Sequence, residues 1–148
     1  MSLENTISEA IKTAMRAKDR VALDSLRAVK SQILLLKTEA LGKEITEEQE
    51  IAILQRMVKQ RKDSYDQFTA QGRSDLAEVE EAQMKVIEQF LPKQLSAEEL
   101  ESEIKNIIAE TGAESGKDLG KVMAAASKAL AGKSDGKSIS ETAKRLLS

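Results

Sequence analysis

The sequence predicts an all-α fold in two parts, four helices followed by a bundle of three. Three observations carry that expectation. Apolar residues recur at helical spacing almost throughout the chain. The strict alternation that marks half-buried strands is absent. The only proline falls in Phe90-Leu91-Pro92-Lys93-Gln94-Leu95, directly before a new helix-start signal.

The elements follow in order. Leu3, Ile7, Ile11 and Ala14 form the first stripe. Leu26, Val29, Ile33, Leu36 and Ala40 form the second, on a helix that begins near Asp19 and is ended by Gly42. Thr46-Glu47-Glu48-Gln49 reads as a capping box, in which the hydroxyl accepts from the third helical amide and Gln49 reaches back. It opens a third helix carrying Ile51, Leu54, Val58, Tyr65 and Phe68, which stops before Gly72. Ser74 or Asp75 caps a fourth, with Leu76, Val79, Val86, Ile87 and Phe90. Each stripe needs a partner surface, and four helices in series can supply it to one another.

Pro92 lacks an N–H and clashes with the preceding turn, so it marks the boundary between a domain over 1–91 and a second over 92–148. Ser96-Ala97-Glu98-Glu99 is another capping box. The helix it opens carries Leu100, Ile104, Ile107 and Ile108 and stops at Gly112; the next carries Leu119, Val122, Met123, Ala126 and Leu130 and stops at Gly132. Ser138 with Glu141 opens the last, with Ile139, Ala143, Leu146 and Leu147. The mid-helix Gly120, followed by Ala124, Ala125 and Ala126, predicts a closely approached helix face.

Composition narrows the chemistry. Of 148 residues, 41% are hydrophobic, which is too many for a disordered chain, and no apolar run approaches a membrane span of about 18 residues. No membrane association is expected. Zero Cys and zero His exclude disulfides, thiolate and Ser-His mechanisms, and the usual metal ligands. No metal and no cofactor are expected. Catalysis would rest on Asp, Glu, Lys or Ser alone, so the reading is a protein that is not an enzyme. Glu4 and Glu9 among the early basic residues, without an apolar core segment, fit no targeting peptide, and a cytoplasmic location is the expectation.

The net charge of −2 conceals a gradient. Residues 75–114 carry three Lys/Arg against 11 Asp/Glu, whereas residues 115–148 carry seven against three. Only the last segment can present a mainly positive surface to a polyanion. The glutamates Glu78, Glu80 and Glu81, and Glu98, Glu99, Glu101 and Glu103, sit early in their helices, where the dipole favours them. They read as solvated caps.

Two loops combine Gly, Lys and Ser: Gly112-Ala113-Glu114-Ser115-Gly116-Lys117-Asp118 and Gly132-Lys133-Ser134-Asp135-Gly136-Lys137-Ser138. Neither is a nucleotide P-loop, because Gly132 and Gly136 enclose one residue too few and no strand precedes them. Each runs into a helix start, near Ser115 and at Ser138. Free amides there can receive an anion, and glycine lets it approach closely. Lys117, Lys121, Lys133 and Lys137 lie in reach. In the third helix Arg61 falls within the apolar stripe, which predicts a buried stem and an ion-paired head. Lys59 and Lys62 face solvent.

Four segments together resemble the YqeY-like family: Val58-Lys59-Gln60-Arg61-Lys62-Asp63-Ser64, Leu91-Pro92-Lys93-Gln94-Leu95-Ser96-Ala97-Glu98-Glu99-Leu100, Asp118-Leu119-Gly120-Lys121-Val122-Met123 and Gly132-Lys133-Ser134-Asp135-Gly136-Lys137. Ser134 stands where that motif more usually has Ala. The family resembles the C-terminal helical and tail regions of the B subunit of the tRNA-dependent amidotransferase, a carbon–nitrogen ligase that uses glutamine as nitrogen donor. The resemblance implies a helical module with a tRNA-contacting tail. It does not imply the ligase reaction, which uses a catalytic domain and an ammonia-supplying subunit absent from these residues.

The expected function is therefore a non-catalytic module whose C-terminal bundle touches tRNA or another structured RNA. Gly116, Lys117, Lys121, Lys133, Gly136 and Lys137 would contact phosphates, and Lys144 and Arg145 extend the patch. With three aromatic residues in all, shape and backbone contact would dominate over base stacking. DNA is not an expected partner. The alternative is a helical adaptor docking on an aminoacyl-tRNA synthetase or amidotransferase subunit. A glutamine-amide hydrolase would need a Ser-Lys pair in place of the missing Cys, and no spacing fixes one.

Overall fold

A computed structural model describes residues 2–148. Among the described residues there are seven α-helices, one 3₁₀ turn and no strand. The helices are α1 (Leu3–Ala17), α2 (Arg20–Glu39), α3 (Glu47–Ala70), α4 (Ser74–Glu88), α5 (Ala97–Thr111), α6 (Leu119–Ala129) and α7 (Gly136–Leu147), with the 3₁₀ turn at Gly116–Asp118. The all-α expectation is met, four helices and then three. The chain divides into two compact units, the first ending at Leu91 and the second spanning Pro92–Ser148.

The first unit closes around Ile7 and Ala14 of α1, Leu26, Val29 and Ile33 of α2, Ile53, Leu54 and Met57 of α3, and Ile87 of α4. Burying each large aliphatic side chain of this set is worth roughly 1.5–3 kcal/mol. On α3 the deepest residues include Ile53 and Met57 rather than the expected Ile51 and Val58, which are only partly buried. The inward face is thus turned from the predicted phase, because α3 packs on both α2 and α4. Ser25, the one fully buried polar side chain among the described residues, is satisfied within its own helix, its hydroxyl donating to the Val21 carbonyl at 2.8 Å.

Most helix starts follow local chemistry, although α4 and α6 have no side-chain cap bond. Ser2, Asp19, Thr46 and Ser96 cap as side-chain acceptors, and both predicted capping boxes form with Gln49 and Glu99 as the returning arms. The fourth helix corrects the expected Ser74 or Asp75 cap. Arg73 holds the cap position with no side-chain bond, and its guanidinium donates to both Asp75 carboxylate oxygens, at 3.1 and 3.0 Å. The last helix corrects the expected Ser138 cap: the cap lies three residues earlier, at Asp135, and the helix begins at Gly136.

Arg61 is also corrected in part. Its stem is partly buried, but its head is held by neutral acceptors, Nε donating to Gln83 Oε1 and one terminal nitrogen to the Met57 carbonyl, both at 3.2 Å. Burial lowers its affinity for the proton, and Glu80 opposes that at longer range. The role is structural, tying α3 to α4.

The second unit packs Leu100, Ile104 and Ile107 of α5 against Val122 and Ala126 of α6, Leu130 beyond it, and Ile139, Ala143 and Leu147 of α7. Gly112 and Gly132 end α5 and the α6 turn at φ +69° and +77°, where a side chain would be strained.

Candidate nucleic-acid interface

The second unit sets the geometry of the predicted site. Lys117 lies in the 3₁₀ turn, Lys121 in the first turn of α6, Lys133 in the α6–α7 connection, Lys137 in the first turn of α7, and Lys144 and Arg145 in its last. All six are exposed, because Val122, Ala126, Ile139 and Ala143 claim the inward faces of their helices. The five lysines form no ion pair among the described residues. Lys137 and Lys144 are seven residues apart, so they share a face about 10.5 Å apart along the axis. Lys121 and Lys128 repeat that relation on α6. Lys128 was not among the expected contacts, although the same seven-residue spacing in the sequence points to it.

The residues are strung out rather than gathered. Lys117 and Lys133 flank the whole of α6, whose 11 residues span about 16 Å. That is unsuited to grasping one small anion. It suits several phosphates in a row.

Arg145 differs from the lysines. One of its terminal nitrogens lies 3.5 Å from Glu101 Oε1, which Lys105 also approaches at 3.5 Å. Arg145 first, then Lys105, holds the Glu101 carboxyl below its ordinary range. A groove of about 330 Å³ beside this pair runs between the start of α5 and α7, and its walls include Glu98, Glu101, Glu141, Ser96 and Ser138. Its charge is mainly negative. It does not extend the basic surface.

At the two helix starts, carboxylates already take neighbouring amides. Asp135 Oδ1 accepts from the Ser138 amide at 2.6 Å, and Asp118 Oδ2 accepts from the Glu114 amide at 2.9 Å. Amide donors from Glu114 and Ser115, with Lys121 nearby, keep Asp118 ionised below the usual aspartate range. An anion arriving at the Gly116 or Gly136 amide therefore meets a resident carboxylate. Both glycines are exposed, and a Cβ at Gly116, Gly120 or Gly136 would meet nothing within 4 Å. Gly120 is thus not the closely packed contact its small neighbours suggested.

The connection bearing Lys133 is fastened to the beginning of the unit. Gln94 Nε2 donates to the Gly132 carbonyl at 2.6 Å and to the Pro92 carbonyl at 2.8 Å, and the Leu95 amide donates to the Lys133 carbonyl at 2.9 Å. Gly132 itself is buried. The bonds to Gly132 and Lys133 were not foreseeable from helical periodicity, since they join residues 38 apart.

Comparison with known proteins places the chain. It is 30% identical over 106 residues to the protein named altered inheritance of mitochondria protein 41, mitochondrial, of Lachancea thermotolerans, a match covering 70% of this chain and 57% of the relative. The protein of the same name from Meyerozyma guilliermondii is 38% identical over 92 residues, covering 59% and 45%. The one from Kluyveromyces lactis is 29% identical over 107 residues, covering 70% and 57%. The matched stretch thus spans about half the length of these relatives. The cytoplasmic location expected from the sequence is contradicted by these names, which call all three relatives mitochondrial. A family model described as Yqey-like protein matches residues 4–147, through all seven helices, and the chain belongs to the YqeY-like family.

Proposed function

We propose that the second unit binds the phosphate backbone of a structured RNA, tRNA foremost, through a row of lysines on α6, α7 and their flanking turns, and that the chain performs no chemistry of its own. The observation supporting this reading is that Lys117, Lys121, Lys133, Lys137 and Lys144 are all exposed and unpaired among the described residues. Lys133 and Lys137 bracket one end of α6, Lys117 and Lys121 the other, and Lys144 lies two turns of α7 from Lys137. Arg145, shared with Glu101, contributes less. The Gly116 and Gly136 amides are secondary to the amines, given the carboxylates beside them. An aminoacyl-tRNA synthetase or an amidotransferase subunit would then be the enzyme served by the bound RNA. The absence of Cys and His supports the non-catalytic part.

Titration with total tRNA at low salt tests the proposal. About four phosphate contacts give a slope of roughly −3 to −4 in log K against log salt. Lys133→Glu with Lys137→Glu should weaken binding at least about tenfold, with helicity unchanged. Absent binding, or binding indifferent to those changes, overturns it. Protein partners captured equally well after RNase treatment would then favour the adaptor.

A further inference from the structure

The first unit carries a feature the RNA reading does not use. Between the last turns of α2 and the first turns of α3 runs a groove of about 420 Å³. Its floor is Leu35, Leu36, Ala52 and Ile53. At one end Arg56 donates to Gln32 Oε1 at 3.3 Å, and at the other stand Glu39 and Gln49. Because α3 returns alongside α2 after a short connection, the two ends are two helical turns apart, about 10.5 Å. Neither Glu39 nor Arg56 forms an ion pair among the described residues. Leu35, midway between Gln32 and Glu39 on α2, is 52% exposed.

Beside the Glu39 end, Leu41 is 91% exposed and adopts φ +51°. A non-glycine residue is disfavoured in the left-handed region. Nothing within the unit compensates by packing that side chain.

We propose that a second copy of this chain covers the groove as a twofold dimer. The charges select that occupant. Under a twofold axis through Leu35, the Arg56 end of one groove lies over the Glu39 end of the other, so each unpaired charge gains one opposite partner and two such pairs form. Leu35 meets its own symmetry mate over the apolar floor. The patch is complementary to itself, as an isologous interface requires.

Sedimentation equilibrium of the full chain tests this, with expected mass rising from 16.2 kDa towards twice that value as concentration increases. Glu39→Arg or Arg56→Glu alone should weaken the dimer at least about tenfold, and the two together should restore it. The chain has no cysteine, so Leu35→Cys reports contact directly: mild oxidation should give a disulfide-linked dimer, whereas Leu34→Cys, exposed but turned off the groove, should not. Both positions are solvent-facing and tolerate the change. A mass of 16.2 kDa at every concentration overturns the proposal and leaves the groove to a different protein. So does a dimer indifferent to the charge reversals, or equal cross-linking at both positions.

Discussion

Single residues decide how strongly the basic surface can act. Asp135 is both the cap of α7 and a negative charge beside Gly136 and Lys137. Asparagine caps about as well as aspartate, so Asp135→Asn should leave the thermal midpoint nearly unchanged. Removing one repulsive charge near a phosphate should tighten tRNA binding about two- to fivefold at low salt. A thermal melt and filter binding of the variant beside the parent check the two expectations in turn. In the core the expected effect is larger and of another kind. Ile104 is fully buried among residues of all three helices, and Ile104→Ala should cost about 2–5 kcal/mol by urea denaturation, through lost transfer energy and a cavity.

At the scale of the element, the capping boxes separate helix-start chemistry from tertiary packing. Thr46→Ala and Ser96→Ala each remove the acceptor for one amide at an exposed helix start, and each should cost about 1 kcal/mol in denaturant titrations. These boxes were readable in the sequence because both halves lie within four residues. The start of α7 was not, since Ser138 and Glu141 imitate a box while Asp135, three residues earlier, reaches the Ser138 amide first. Arg61 shows the same limit. Its position in an apolar stripe announced a buried stem, but its acceptor, Gln83, lies on the next helix, beyond any local pattern. For the candidate site, helical phase made the exposure of the lysines legible. The carboxylates of Asp118 and Asp135, which take the Glu114 and Ser138 amides near Gly116 and Gly136, were not, because their placing depends on where each helix begins.

For the molecule as a whole, charge ties stability and binding to solution conditions. Glu99 is held below its ordinary carboxyl value by the Ser96 amide and hydroxyl, Glu101 by Arg145 and Lys105, Asp118 by backbone amides, and Asp75 by Arg73. Each is lower in the folded chain than in the unfolded one, so each contributes stability above the ordinary values of 4.5 for Glu and 3.8 for Asp. That contribution is lost as pH falls through the lowered folded values. The melting temperature should hold steady from pH 7 to about 5 and drop below pH 4.5, which calorimetry across that range will register. The fastening of Gln94 and Leu95 to the Gly132-Lys133 carbonyls has a further consequence. A tug on the backbone at Pro92 reaches the backbone at Gly132 through the bridging Gln94 amide instead of about forty residues of chain, so the two places share one opening equilibrium. Deuterium uptake at the Leu95 amide is therefore a built-in gauge of that loop, and anything that clamps the lysine from outside should slow it.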